Sequence, residues 1–259
     1  MMRNVFALLA FAGAALLAAA GGASAQQGVG SIITAQMFES MLSHRGDNPC
    51  QGAFYTYDAF IKAANDFPDF GNTGDDETRR RELAAFFGQT SHETNGGWAD
   101  APGGPFAWGY CWVTERNNPP TDPTYYGRGP IQLTHQYNYE LAGQVLQLDL
   151  VRNPDLVSSN PEVAFKTAIW FWMTPQNAKP SCHDVMINNW APSDDDRSLG
   201  RLPGYGMATN IINGGLECGK GQPSDGDTNR VGYYQRYSQM LGVGVGDNLS
   251  CENMTPYGQ

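Results

Sequence analysis

Asn160, Pro161 and Pro175 bracket the stretch NPEVAFKTAIWFWMTP, and no other stretch limits the fold as much. Asparagine caps a helix, proline suits its first turn, and a second proline closes it. Between them Val163, Phe165, Ile169, Trp170, Phe171 and Trp172 leave little polar surface. A helix apolar on nearly every side must be central and jacketed by other elements.

The jacket also reads as helical. SIITAQMFESMLSHR from Ser31 sets Ile33, Met37 and Met41 along one face, and YDAFIKAANDF from Tyr57 does the same with Phe60 and Ala64. Segment 75–93 opens on Asp75, Asp76 and Glu77, then presents Leu83, Phe86, Phe87 and Thr90 inward, with Glu93 one turn on. YGMATNIING from Tyr205 and TNRVGYYQRYSQML from Thr228 give two more helices, each bounded by glycine. Strand signals are few, and only short stretches such as 107–113 and 130–133 are candidates to pair. The run Asp194, Asp195, Asp196 is read as a solvated loop. With no internal repeat and no Pro- or Ser-rich linker, the expectation is one mainly α domain with long, structured, glycine-rich loops.

That domain is placed at 26–259, because residues 1–25 read as a signal peptide: Arg3, an apolar run, then Ala23 and Ala25 at signal-peptidase spacing. No other stretch is long and apolar enough to span a bilayer. A net charge of −10, one more negative once Arg3 is removed, argues against nucleic acid and anionic surfaces and for neutral substrates. Five cysteines in an oxidising compartment fit two disulfides and one free thiol, with the connectivity left open by spacing. None lies in a CxxC or alternates with histidine at ligand spacing, so no metal is expected.

The chemistry centres on two glutamates. In SHETNGG, His92 and Glu93 begin like a zinc-protease HExxH, but Gly96 stands where the second histidine is needed. Glu93 is disfavoured as a simple surface charge, since a helix C-terminus repels an anion. Set among Phe86, Phe87 and Trp98, its carboxyl is expected to be held protonated, as a general acid requires. Glu115, in WVTERNN, sits in a polar turn where a base can stay ionised and reach water, although Arg116 beside it could simply balance its charge. One acid and one base set apart to admit water is the arrangement of inverting glycoside hydrolysis. YYGRGPIQLTHQYNY mixes aromatic rings with Gln132, Thr134 and Asn138, a composition suited to neutral sugars. Arg230 needs a carboxylate partner, and Glu217 or a catalytic glutamate can supply it.

FYTYDAFIKAA, FFGQTSHETNGGW, FAWGYCWVTE, YYGRGPIQLTHQYNY, KPSCHDV, TNIINGGLECG and RVGYYQRY together resemble the plant-type chitinases of glycoside hydrolase family 19, in the class II form that lacks a chitin-binding module. The resemblance implies a two-lobed, lysozyme-like helical fold and a secreted, monomeric endochitinase of the plant apoplast, acting in defence against fungi. It implies no cofactor, and chitin or N-acetylglucosamine oligomers as the only partner. Glu93 takes the place of the general acid, Glu115 that of the base, and Thr134 that of the hydroxyl residue that helps hold the attacking water. His92, Tyr125, Gln132, Asn138, Lys179 and Asn213 are expected in the sugar-binding cleft, with Glu217 and Arg230 as the charges that orient Glu93. By the same matching Cys50 bonds Cys111, Cys218 bonds Cys251, and Cys182 is free.

In one respect the chain departs from the family pattern. Many relatives carry a longer insert after the second glutamate, whereas here only RNNPPTDPT, 116–124, spans it, which affects the outer sugar subsites. Two rival readings are a chitin-binding protein that does not cut, which the presence of both glutamates disfavours, and an enzyme acting on peptidoglycan, which the shared fold permits.

Overall fold

A computed structural model describes residues 28–257; the expected signal peptide lies outside these residues. Ten α-helices occur among them: α1 (Ala35–Met41), α2 (Tyr57–Asn65), α3 (Asp76–Glu93), α4 (Gln136–Leu146), α5 (Leu156–Ser159), α6 (Pro161–Met173), α7 (Cys182–Met186), α8 (Asp194–Ser198), α9 (Tyr205–Glu217) and α10 (Asp225–Leu241). None is long and apolar enough to cross a membrane.

Helix α6 is the packed centre foreseen from its sequence. Asn160 Oδ1 accepts from the amides of Glu162 and Val163, and α2, α4, α5 and α7 all pack against it. The enclosure of α3 exceeds expectation: it buries ten consecutive residues from Glu82 to Ser91, not one face. Its most extensive partner is α10. The two helices approach closely at Gly88, where an added Cβ would lie 3.1 Å from the Cα of Tyr234. The first turns of α3 face water, with Asp75 accepting from the amide of Thr78 and Arg80 paired to Asp76 four residues earlier.

Two expectations are corrected. Segments 107–113 and 130–133 do not pair as strands; among the described residues only isolated bridges occur, Thr114 with Arg128, Arg128 with Leu133, and Gln176 with Lys179. Segment 107–113 instead folds onto the end of α3, where the amides of Cys111 and Trp112 donate to Thr94 O and Gly96 N donates to Trp108 O. Its aromatic residues serve that packing and not a sheet. The acidic run is not a loop but helix α8, because Ser193 and Asp196 close a reciprocal capping box.

Two disulfides are present, Cys50–Cys111 and Cys218–Cys251, and Cys182 is free and buried. Burial pushes the Cys182 thiol up, away from the reactive thiolate. The first disulfide explains a glycine in the SHETNGG stretch: a Cβ on Gly96 would lie 2.2 Å from Cys111 Sγ.

Candidate active site

A cleft of about 1170 Å³ is lined by Glu93, from the end of α3, and Glu115, from the segment after the first disulfide. His92, Gln132, Thr134, Asn138, Lys179 and Asn213 line it too. Tyr125, assigned to the cleft from sequence, does not. Its hydroxyl donates to Val151 O and its ring lies against Tyr139, so it braces the wall from behind.

The surroundings of Glu93 also differ from the apolar setting expected. Its Oε1 lies 2.6 Å from Nη2 of Arg230, a fully buried guanidinium. Trp98 is turned away, half exposed and packed on Trp108. Arg230 reaches further, with Nε and Nη2 donating to the two oxygens of Glu217 at 2.9 and 2.7 Å, and Nη1 donating to Gln89 Oε1 at 2.8 Å. Both partners named for Arg230 are therefore engaged at once. Gln89 in turn donates to Thr209 Oγ1, tying the cluster to α9.

Glu217 Oε1, which accepts from Arg230 Nη2, also accepts from the Asn213 amide at 2.6 Å. Asn213 leaves helical geometry inside α9 (φ −141°, ψ 30°), a local kink at the point where it meets the cleft. Burial opposes charge on Glu217, but the Arg230 guanidinium and the Asn213 amide outweigh it and hold the carboxyl below its usual range. Glu217 thus supplies a standing negative charge beside Arg230. His92 hydrogen-bonds Asn229 at 2.8 Å, and burial together with Arg230 pushes its imidazole down toward the neutral form.

Glu115 is held by backbone. Gly127 N donates to Oε2 at 2.9 Å and Thr121 N to Oε1 at 2.5 Å, while Glu115 N donates to Gly127 O. Gly127 has room for this only without a side chain, since a Cβ would stand 2.9 Å from Gln132 Oε1 and 3.2 Å from Glu115 Oε2. Arg116 does not neutralise its neighbour; its guanidinium lies over the Trp112 ring, 4.0 Å from the centroid.

The remaining polar groups belong to one knotted turn. Gln132 has a positive φ of 50° and donates to Gly129 O; Thr134 Oγ1 donates to Gln132 O; Asn138 donates to Thr134 O. Behind them lies Arg128, not singled out from sequence, which is buried, donates to Thr124 O, Tyr126 O and the Tyr139 hydroxyl, and pairs with Asp155. Across the cleft Lys179 Nζ donates to Ile211 O. Among the described residues no cluster of His, Cys, Asp and Glu could hold a metal ion.

Comparisons with known proteins agree with this architecture. The profile of glycoside hydrolase family 19, described as chitinase class I, matches residues 32–251. Chitinase 11 of Oryza sativa subsp. japonica is 75% identical over 97% of this chain and 98% of its own length. Endochitinase B of Nicotiana tabacum is 56% identical over 89% of this chain and 75% of its own. Among solved structures, chitinase C from Streptomyces griseus HUT6037 superposes with a TM-score of 0.68 at 33% identity, covering 85% of this chain and 80% of that one.

Proposed function

The chain belongs to glycoside hydrolase family 19 and is a chitinase with a lysozyme-like helical fold; from that premise we propose that it cuts within chitin chains by a single displacement that inverts the anomeric carbon. Glu93 gives its proton to the oxygen of the leaving sugar. Glu115 takes a proton from a water that attacks the opposite face of C1, with Thr134 helping to hold that water. His92, Gln132, Asn138, Lys179 and Asn213 contact the sugars.

The observation that carries this reading is the unlike treatment of two glutamates in one cleft. As Glu93 loses its proton, negative charge grows 2.6 Å from the Arg230 guanidinium, which is in place beforehand. The standing charge of Glu217 keeps that guanidinium from being an unbalanced cation before reaction. Both oxygens of Glu115 accept from main-chain amides, which orients the group without a competing cation. The deciding experiment is proton NMR of the first-formed product from a defined N-acetylglucosamine hexamer. The α-anomer is expected before mutarotation; an initial β-anomer would require a retained-configuration intermediate and remove Glu115 from its role.

The same reading takes the protein to be secreted to the apoplast as a monomer and to act against fungal walls. Residues 1–25 and two disulfides support an oxidising destination. Sequencing of the exported protein should start at Gln26, sedimentation should give a monomer, and hyphal growth should be slowed by the wild type but not by Glu93→Gln.

A further inference from the structure

Six large hydrophobic side chains stand exposed among the described residues, and three of them share one helix: Tyr137, Leu141 and Val145, at 57, 45 and 60% exposure. They recur every fourth residue, so they form one stripe along α4. The opposite face of α4, with Tyr139, Ala142 and Gly143, is buried in the fold. The stripe is therefore not a core face left half covered.

Its position relative to the cleft indicates what covers it. Tyr137 lines the cleft, with the His135 ring stacked on it at 5.8 Å between centroids. From there the stripe runs away from the cleft for roughly 12 Å, at the usual rise of an α-helix. On α4 itself the polar residues beside it are Gln136, Glu140 and Gln144, only one of them charged, and at the Tyr137 end His135 is balanced by Asp122 at 4.0 Å. Amide and apolar groups with little charge suit a neutral surface of sugar rings, which offers apolar faces and hydroxyls. A second copy of the chain fits poorly, because three side chains fall well short of the ~800 Å² per partner of a stable dimer.

We propose that the Tyr137–Leu141–Val145 face of α4 is a second binding site, for the packed N-acetylglucosamine chains of solid chitin, continuous with the cleft. A chain lifted into the cleft would leave its neighbours in the solid lying against this helix. The proposal rests on the chitinase reading of the cleft and adds a contact that soluble oligomers do not need.

The test uses the full mature chain and the double variant Leu141→Gln/Val145→Gln, which keeps good helix formers at two exposed positions outside the cleft. Two readouts are compared: initial rate on soluble N-acetylglucosamine hexamer, and depletion of protein from solution by chitin powder, each measured also for the single variant Val145→Tyr. The double variant should keep the hexamer rate within about twofold while its half-saturating chitin concentration rises roughly tenfold; Val145→Tyr should lower that concentration. Unchanged binding to the powder overturns the proposal, as does a parallel loss on hexamer and powder. A wild-type dimer that the double variant converts to monomer would assign the stripe to self-association instead. Failure of the chitinase reading would appear separately, as a wild type that cleaves neither substrate.

Discussion

Arg230 places Nη2 2.6 Å from Glu93 Oε1, and the same nitrogen donates to Glu217 at 2.7 Å. One buried cation is shared by a carboxylate facing the cleft and one behind its wall. Breaking such a pair leaves charge uncompensated in a poor solvent. Arg230→Met should therefore destabilise the fold by about 3–5 kcal/mol, seen as a shifted urea midpoint. Arg230→Met/Glu217→Met should recover most of that stability without recovering kcat. If kcat returned with stability, the guanidinium would be only structural.

Amide substitutions separate the two glutamates from binding. Glu93→Gln should lower kcat by roughly 10²–10⁴-fold, the usual worth of a positioned acid, with oligosaccharide affinity nearly unchanged by calorimetry. Glu115→Gln should also cripple turnover, and because its carboxylate accepts two main-chain amides it should disturb the 116–124 segment as well. Near-normal rates for either variant would dismantle the two-carboxylate reading.

Gly96→Ala puts a methyl group where Cys111 Sγ lies, at 2.2 Å. The Cys50–Cys111 disulfide or the turn after Glu93 must then move. A loss of about 1–3 kcal/mol is expected from such overpacking, together with lower activity, because this turn follows Glu93 directly. Thermal unfolding and hexamer hydrolysis measured on the same sample check both.

A buried pair away from the cleft carries a pH dependence. His183 Nδ1 meets Glu82 Oε1 at 2.6 Å, and Trp172 donates to the same oxygen. Burial works against the imidazolium, but Glu82, with Asp184 and Asp69 nearby, outweighs it and raises the His183 pKa. A raised histidine contributes stability that is full below the unfolded value of about 6.5 and fades as pH climbs through the folded value. The urea midpoint of the wild type should fall on going from pH 6 to pH 9, and His183→Gln should flatten that component. An equal slope in both proteins would refute the linkage.

Much of the helical frame was legible in the sequence because its ends are marked by capping residues: Asp75 before α3, Asn160 and Pro161 at α6, and Gly242 in left-handed geometry after α10. Serine followed three residues later by aspartate also marks α8, a signal hidden by reading three acids as solvent-facing. Segment 107–113 misled because aromatic residues favour strands only where a partner strand exists. At the site, the need of Arg230 for a carboxylate was readable from residue type, whereas Glu115 stood out only through the family resemblance, because a glutamate in a polar turn beside an arginine has no distinguishing local signal. The sharing of Arg230 by Glu93 and Glu217, the support of Gln89, and the packing of Tyr125 behind the cleft wall were not readable, because each depends on contacts between segments far apart in the chain.

Thr121 reaches Glu115 through its main-chain N–H and not through its hydroxyl. Every amino acid except proline carries that donor. The hold on the base is therefore a matter of where this short segment runs: its course is set by Asn117 on the Thr121 hydroxyl and by Asp122 on the amides of Thr124 and Tyr125, and a residue gained or lost would carry the donor away from the carboxylate it serves.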